Sequence, residues 1–283
     1  MKGELHFRLL ELLAEFRACQ AVQKGTWSIP DLLVIPYTQL VTMQQNGGCV
    51  LGAFDAGYLA GFVAGFLGRQ GSGPLYLYSQ RMGVLPAYQG QGVGERLKWA
   101  QRDWAIGQGL ELVVWTFDPL EPANARLNIA KLGGVARHFK RDIYGQHDSP
   151  LHRDLPTDRL VINWHLAGER VLACLAGSAE AASDAGDLLA RLGPPANTVY
   201  WDDRGLPRSS LFDLARREPR LLLEVPADWQ AVRQADIKLA ADWRAQTRAA
   251  FEGWLAGGYA VTGYACGVLA GRRRNFYVLE REA

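Results

Sequence analysis

A chain of 283 residues exceeds an ordinary single domain, so its length implies two modules or one elaborated domain. With 48% hydrophobic and 21% charged residues it has the profile of a globular protein with enough apolar material for a substantial core. A net charge of +2 is too mild to argue for nucleic acid or an anionic membrane as a partner.

His6 to Leu10 reads as a short strand and Leu12 to Val22 as an apolar-periodic helix. A second helical stretch starts at Pro36 and stops at Asn46-Gly47-Gly48. The runs Cys49 to Phe54 and Tyr58 to Phe66 flank Asp55-Ala56-Gly57, which is the pattern of an antiparallel hairpin. A third strand covers Leu75 to Val84. The next helix runs from Val93 to Gln108, with Val93, Leu97, Ala100 and Trp104 on its apolar face and Arg96, Lys98, Gln101 and Asp103 elsewhere. Glu111 to Thr116 is a strand, Ala123 to Lys131 a short helix stopped by Gly133-Gly134, and Val135 to Tyr144 another strand. Residues 145–157 read as a surface loop and Leu160 to Leu166 as a strand, while 177–210 carries few core-forming residues and is assigned little. Leu221 to Pro226 is a strand. Asp236 caps a helix striped by Ala240, Trp243, Thr247, Ala250 and Trp254, and strands near Ala260 to Tyr264 and Phe276 to Leu279 close the chain. The basic run Arg272-Arg273-Arg274 is taken as a solvated turn, with an anion site as the alternative.

Cys19, Cys49, Cys174 and Cys266 are scattered without a C-x-x-C pair, which argues against a zinc site and a disulfide framework, so no metal is expected. The N-terminal apolar stretch is broken by Glu11, Glu15 and Arg17, and no run reaches bilayer-spanning length; a soluble, cytoplasmic protein is expected.

The segment Met82-Gly83-Val84-Leu85-Pro86-Ala87-Tyr88-Gln89-Gly90-Gln91-Gly92-Val93-Gly94 passes from a strand through a glycine-rich loop into a helix N-terminus. Such a junction gathers backbone N–H groups at the positive end of a helix dipole, where a diphosphate fits. Gly92 and Gly94 let a ligand approach the backbone closely. Walker A chemistry needs Gly-Lys-Ser/Thr, but Gly94 is followed by Glu95; the dinucleotide pattern would put its last glycine at Glu95 or Leu97. What fits is Q-x-x-G-x-G at Gln89, Gly92 and Gly94.

That string resembles the pyrophosphate-binding motif of the GNAT N-acetyltransferase superfamily, and the order of elements over about residues 5 to 166 agrees. Trp115-Thr116-Phe117-Asp118-Pro119-Leu120, Asn124 and Lys131-Leu132-Gly133 further resemble a branch of acyltransferases linked to N-acylamino acid metabolism. The resemblance implies an α/β (α+β) fold with a central mixed, mostly antiparallel sheet flanked by helices. It implies an acyl-CoA-binding domain over residues 1–168, and a C-terminal α/β extension, 169–283, that packs on the sheet and helps close the acceptor site.

By resemblance, the strands ending at Val84 and Thr116 splay to admit the pantetheine arm. Met82, Gly83 and Val84 pair with it, Gln89, Gly90, Gln91, Gly92, Val93 and Gly94 hold the pyrophosphate, and Asn124 faces the pantetheine unless it is an ordinary helix N-cap. The implied reaction is direct attack of an amine on the thioester of acetyl-CoA or succinyl-CoA, with a backbone N–H as oxyanion donor. Many relatives carry a tyrosine as the thiolate's acid four residues before the glycine matching Gly133, where this chain has Ile129; that role is either absent or moved to another residue such as Tyr144. Asp118 is a candidate base through water, or else a loop-stabilising carboxylate, and Ser79 is a further catalytic candidate. Gln80 and Arg81, the latter as a carboxylate fork, are candidates to line the acceptor pocket. His138, His147, His152 and His165 read as isolated surface or packing residues. The expected partner is a small-molecule amine, an amino acid for instance, with a homodimer allowed; the competing reading is a non-catalytic CoA-binding sensor or scaffold.

Overall fold

The structure is a computed structural model that describes residues 4–145, 155–177, 185–210 and 212–282. Among these, the chain forms two compact units, one of residues 4–115 and 165–167, the other of residues 116–145, 155–164 and 168–282.

The first unit contains β1 (His6–Leu9), α1 (Leu13–Trp27), α2 (Tyr37–Gln45), β2 (Cys49–Asp55), β3 (Tyr58–Arg69), β4 (Leu75–Val84), α3 (Val93–Gly107) and the start of β5 (Leu112–Phe117). Its strands lie in the order β1-β2-β3-β4-β5, antiparallel except for the parallel last pair. The β2–β3 hairpin closes through Ala56 (φ 46°) and Gly57 (φ 88°), the two positive φ values that match the twist of paired strands. Neighbouring residues of a strand face opposite sides of the sheet. Val50 packs with Phe16, Cys19 and Leu40 of α1 and α2, whereas the adjacent Cys49 accepts a hydrogen bond from Gln101 of α3, so α3 covers the other face. The fully buried Gln23 exchanges two hydrogen bonds with the backbone of Ile35, fixing the α1–α2 connection. Helix α1 runs past the expected end at Val22 and stops where Ser28 turns left-handed (φ 51°).

The second unit contains α4 (Pro122–Ala125), extended by a π-helical turn over Arg126–Lys131, then β6 (Val135–Lys140), β7 (Arg159–His165), α5 (Glu169–Leu175), α6 (Ala185–Leu192), β8 (Val199–Trp201), β9 (Pro207–Ser209), β10 (Arg220–Val225), α7 (Trp229–Ala235), α8 (Ile237–Ala256), β11 (Tyr259–Leu269) and β12 (Arg272–Arg281). Its main strands are ordered β7-β6-β11-β12-β10, all antiparallel, with β8 and β9 as a separate hairpin. Both units are mostly antiparallel sheets flanked by helices, which is the expected mixed α/β class.

Four expectations are corrected. Arg272, Arg273 and Arg274 begin β12 rather than a turn, because Ala270 (φ 50°) and Gly271 (φ 74°) make the turn and β11 pairs with all three arginines. Strand β6 ends at Lys140, not Tyr144: Asp142 turns left-handed (φ 40°) and its carboxylate accepts hydrogen bonds from the amide and hydroxyl of Thr157. The loop expected over 145–157 ends in buried residues, Leu155 and Thr157 among them; residues 146–154 lie outside the described residues. The stretch 177–210 contains α6, whose Ala185 and Leu188 pack on Leu222, Ala265 and Phe276, and the β8–β9 hairpin, while 178–184 lie outside the described residues.

Helix α8 buries its expected stripe, Ala240, Trp243, Thr247, Ala250 and Trp254, together with Phe251, whose ring meets Tyr277 edge-on at 5.3 Å. Beside that stripe it presents three charged residues at helical spacing. Arg244 donates to both oxygens of Asp118 at 2.7 and 2.6 Å, Arg248 to Asp158 at 2.9 and 2.8 Å, and Glu252 accepts from Arg141 at 2.9 and 2.6 Å. The first pair is buried on both sides, with side chains 4% and 10% exposed. Removing one partner of such a pair strands a charge. Arg244→Met is expected to lower stability by about 3–5 kcal/mol in urea unfolding, and Asp118→Asn in the same chain to recover part of that loss. A double-variant loss equal to the sum of the two single-variant losses would show that the pair is uncoupled.

Candidate functional site

The loop after β4 is built by its own side chains. Gln89 Nε2 donates to the Val84 carbonyl at 2.8 Å, where Thr26 Oγ1 also donates at 3.2 Å, and Gln91 Nε2 donates to the Ala87 carbonyl at 2.8 Å. Tyr88 Oη donates to Asp55 at 2.8 Å, tying the turn Pro86–Tyr88 to the β2 end. The two glutamines therefore frame the loop, and the backbone is what it offers a ligand. Gly90 (φ 73°) and Gly92 (φ 76°) are left-handed, and a Cβ added at either would meet nothing within 4 Å. Glycine is required there for conformation, and the space beside it is clear. Gly92 is the N-cap of the 15-residue helix α3, with no side-chain cap, so the amides of Val93 and Gly94 open on that space at the positive end of the helix. A diphosphate fits this cradle.

Strands β4 and β5 pair only at Leu77–Val113 and Tyr78–Val114. Beyond that point, among the described residues, β4 continues from Ser79 to Val84 against β3 alone. The register with β3 slips at the same place: Gly65 faces Ser79 and Ala64 faces Arg81, leaving Gln80 as the extra residue of a bulge. A bulge bends the strand and sharpens its twist, which is the local reason β4 and β5 part. Gln80 is exposed, while Arg81 turns toward α1, with its guanidinium 5.1 Å from the Trp27 ring centre and a bond to the Leu33 carbonyl. Met82 and Val84 are half-buried and Gly83 buried.

At the crotch of this fork lies a residue that sequence reasoning misplaced. Lys98 of α3 is 3% exposed, its Nζ donating to Ser79 Oγ at 3.0 Å and Gln101 Oε1 at 2.8 Å and lying 3.6 Å from the Trp115 ring centre. Burial pulls its pKa down to about 7. The buried face of α3 is Val93, Leu97, Lys98, Gln101, Arg102 and Ala105, rotated from the expected one; Ala100 and Trp104 are only half-buried. The polar residues at 98, 101 and 102 hid the four-residue repeat 93-97-101-105 that marks this face.

The remaining candidates, Asn124, Asp118 and Tyr144, belong to the second unit. Asn124 is exposed on α4, and the N-cap of that helix is Glu121, so Asn124 is not a cap. Asp118 accepts the Leu120 amide at 2.9 Å as well as Arg244. Burial would raise its pKa, but the attraction and hydrogen bonds of Arg244, with Arg159 behind, hold it below the ordinary carboxylate range. A carboxylate so held is a weak proton acceptor. Tyr144 is exposed, its amide bonded to Thr157 Oγ1 at 2.9 Å. Ile129 is fully buried in the π-helical turn. His138 and His165 are exposed; His147 and His152 lie outside the described residues.

Residues 10–133 match the family model of the acetyltransferase (GNAT) family. Over this segment, less than half of the chain, the sequence is similar to that family. The matched segment carries both the glycine loop and the β4–β5 fork. No curated protein matches the chain in sequence. Among solved structures, the ribosomal-protein-S18-alanine N-acetyltransferase of Escherichia coli is 17% identical (TM-score 0.45), covering 59% of this chain and 97% of its own. Salmonella typhimurium yncA, solved with its cofactor acetyl-CoA, is 18% identical (TM-score 0.48; 58% and 95% covered). Arabidopsis thaliana Naa50, solved with a bisubstrate analogue, is 15% identical (TM-score 0.43; 56% and 97% covered). Among the described residues no helix is long and apolar enough to cross a membrane, and no group of three or more His, Cys, Asp or Glu side chains could hold a metal ion.

Glu121 is a second residue the sequence did not single out. Its carboxylate accepts from Gln230 at 2.6 Å, and burial, reinforced by the charge of Asp118, lifts its pKa from 4.5 to about 7. The folded state therefore holds a proton that the unfolded chain releases between pH 4.5 and 7, so this group makes stability fall as pH rises through that window. Glu121→Gln is expected to remove the fall, with its advantage over wild type growing from pH 4.5 to 7 toward about 3 kcal/mol by denaturant unfolding. A pH-independent difference would show that the carboxyl titrates normally.

Proposed function

We propose that the protein is an acyl-CoA-dependent N-acyltransferase that moves an acetyl or succinyl group to the amine of a small molecule, with an amino acid as the first acceptor to try. The observation that carries this reading is the run of a backbone-lined glycine cradle, Gln89 to Gly94, directly into the strand edge that β5 abandons. The cradle takes the pyrophosphate of the thioester substrate. From Val84 back to Ser79 the edge covers about 17 Å at roughly 3.3 Å per residue, comparable with an extended pantetheine arm, whose two amides pair with Met82 to Val84 as an added strand would. The thioester then reaches the bulge at Gln80, where a backbone N–H released from the ladder is the oxyanion donor. Asn124 serves the pantetheine, and Gln80 and Arg81 the acceptor. The acyl-CoA domain is taken as residues 1–168, with 169–283 as its extension.

A second reading, a CoA-binding module without catalysis, is favoured by the buried Ile129 where many relatives carry a tyrosine. Titration calorimetry with acetyl-CoA and succinyl-CoA should show micromolar binding by the wild type and a loss of at least about 30-fold in Gly92→Trp, which fills the cleared space beside the loop. Release of free CoA on adding proteinogenic amino acids should separate the enzyme from the module. Absence of binding to either thioester would remove the functional assignment altogether.

A further inference from the structure

The transferase reading gives no task to Lys98, a buried ionisable group of the first unit. Lys98 sits at the point where β4 and β5 separate: Ser79, its hydrogen-bond partner at 3.0 Å, is the first β4 residue past the last β5 pair, and Trp115, under its Nζ at 3.6 Å, is the first β5 residue past it. Ser79 is 8% exposed and precedes the bulge at Gln80. The hydroxyl thus lies between the open fork and an amine buried behind it. Resting on the transferase reading, we propose that Ser79 and Lys98 form a proton relay, in which the attacking amine loses its proton to Ser79 Oγ while Ser79 passes its own to Lys98 Nζ.

The step balances without a co-reactant. The acceptor nitrogen bonds to the thioester carbonyl carbon, the C–S bond breaks with its electron pair on sulfur, and the nitrogen's proton enters the Ser79–Lys98 pair. Return of a proton from Lys98 through Ser79 to the thiolate gives free CoA and restores the neutral lysine. A buried lysine is suited to this because desolvation favours its uncharged form near neutral pH. Around it stand Ser79 on β4, Gln101 on α3 and Trp115 on β5, all neutral, and the titratable Cys49 on β2, whose thiol is pushed up to about 11 by burial and stays protonated. Gln101 bridges the two, donating to Cys49 Sγ at 3.6 Å and accepting from Lys98 at 2.8 Å, which fixes the amine's direction. Lys98 acts through Ser79 and is a positioning residue.

The test is thiol release from acetyl-CoA by the full chain, with hydroxylamine as probe amine, across about pH 5.5 to 9.5. Wild-type kcat should fall about tenfold per pH unit below neutrality. Ser79→Ala and Lys98→Met should each lower kcat at neutral pH by about 100-fold or more and abolish that acid limb, with acetyl-CoA affinity by calorimetry unchanged within about threefold. Lys98→Arg keeps a cation and its donors but cannot surrender a proton, so it should behave like Lys98→Met. An acid limb that survives in Ser79→Ala, or activity restored by arginine, would show a packing role and overturn the relay. Should Lys98→Met misfold by circular dichroism, Ser79→Ala and Lys98→Arg decide between relay and packing. Loss of acetyl-CoA binding in the wild type would take the inference down together with the transferase reading, an outcome distinct from binding and turnover that ignore these variants.

Discussion

A strand that loses its neighbour halfway along must find other partners for its backbone or leave them to water. β4 is in that position from Ser79 onward, held by β3 on one side and released by β5 on the other. A bare strand edge is a template for anything that can pair with it, and proteins rarely leave one without covering it or using it. Here the edge leads into a loop whose own side chains, Gln89 and Gln91, are spent on fixing its shape. The bulge at Gln80, the left-handed glycines and the open end of α3 all follow from keeping that edge accessible and ending it in a place that attracts negative charge.

Charge is buried in two different ways in the two units. In the second, carboxylates are met by arginine forks: Asp118 by Arg244, Asp158 by Arg248, and Glu224 by Arg274. Such pairs are bidentate and geometrically specific, so they define positions more than they add stability. Lys98 is handled otherwise. Its neighbours Ser79, Gln101 and the Trp115 ring solvate the amine without holding its proton fast, and burial keeps the uncharged form within reach at neutral pH. That difference separates a group placed for architecture from one that can change state.

Much of the first unit is legible because its signals are local. The hairpin announces itself by Ala56-Gly57 between apolar runs, and the loop by glycines at spacings that only one phosphate-binding pattern tolerates. What escapes depends on tertiary context. Lys98 reads as lying off the apolar face of its helix because nothing local says that this face meets β2 and β4, and nothing local singles out Glu121. Asp118 stands out in the sequence as either a base or a loop anchor, but its partner lies 126 positions along the chain. Arg272 to Arg274 look like a turn by charge alone; pairing with β11 makes them a strand, and Arg274 finds Glu224. Charge density is a poor guide to exposure when arginine is the residue that ties buried acids down.

Helix α8 ties down more than one acid. Arg244, Arg248 and Glu252 recur at every fourth residue, so all three project from one side of a rigid rod. Each holds a different segment: Asp118 follows β5, Asp158 precedes β7, and Arg141 follows β6. These strand ends, far apart in sequence, therefore share a single mechanical coordinate, the rotation of α8 about its own axis. None of these acid or base partners can be displaced without either breaking its clasp or moving the rod and carrying the other two with it.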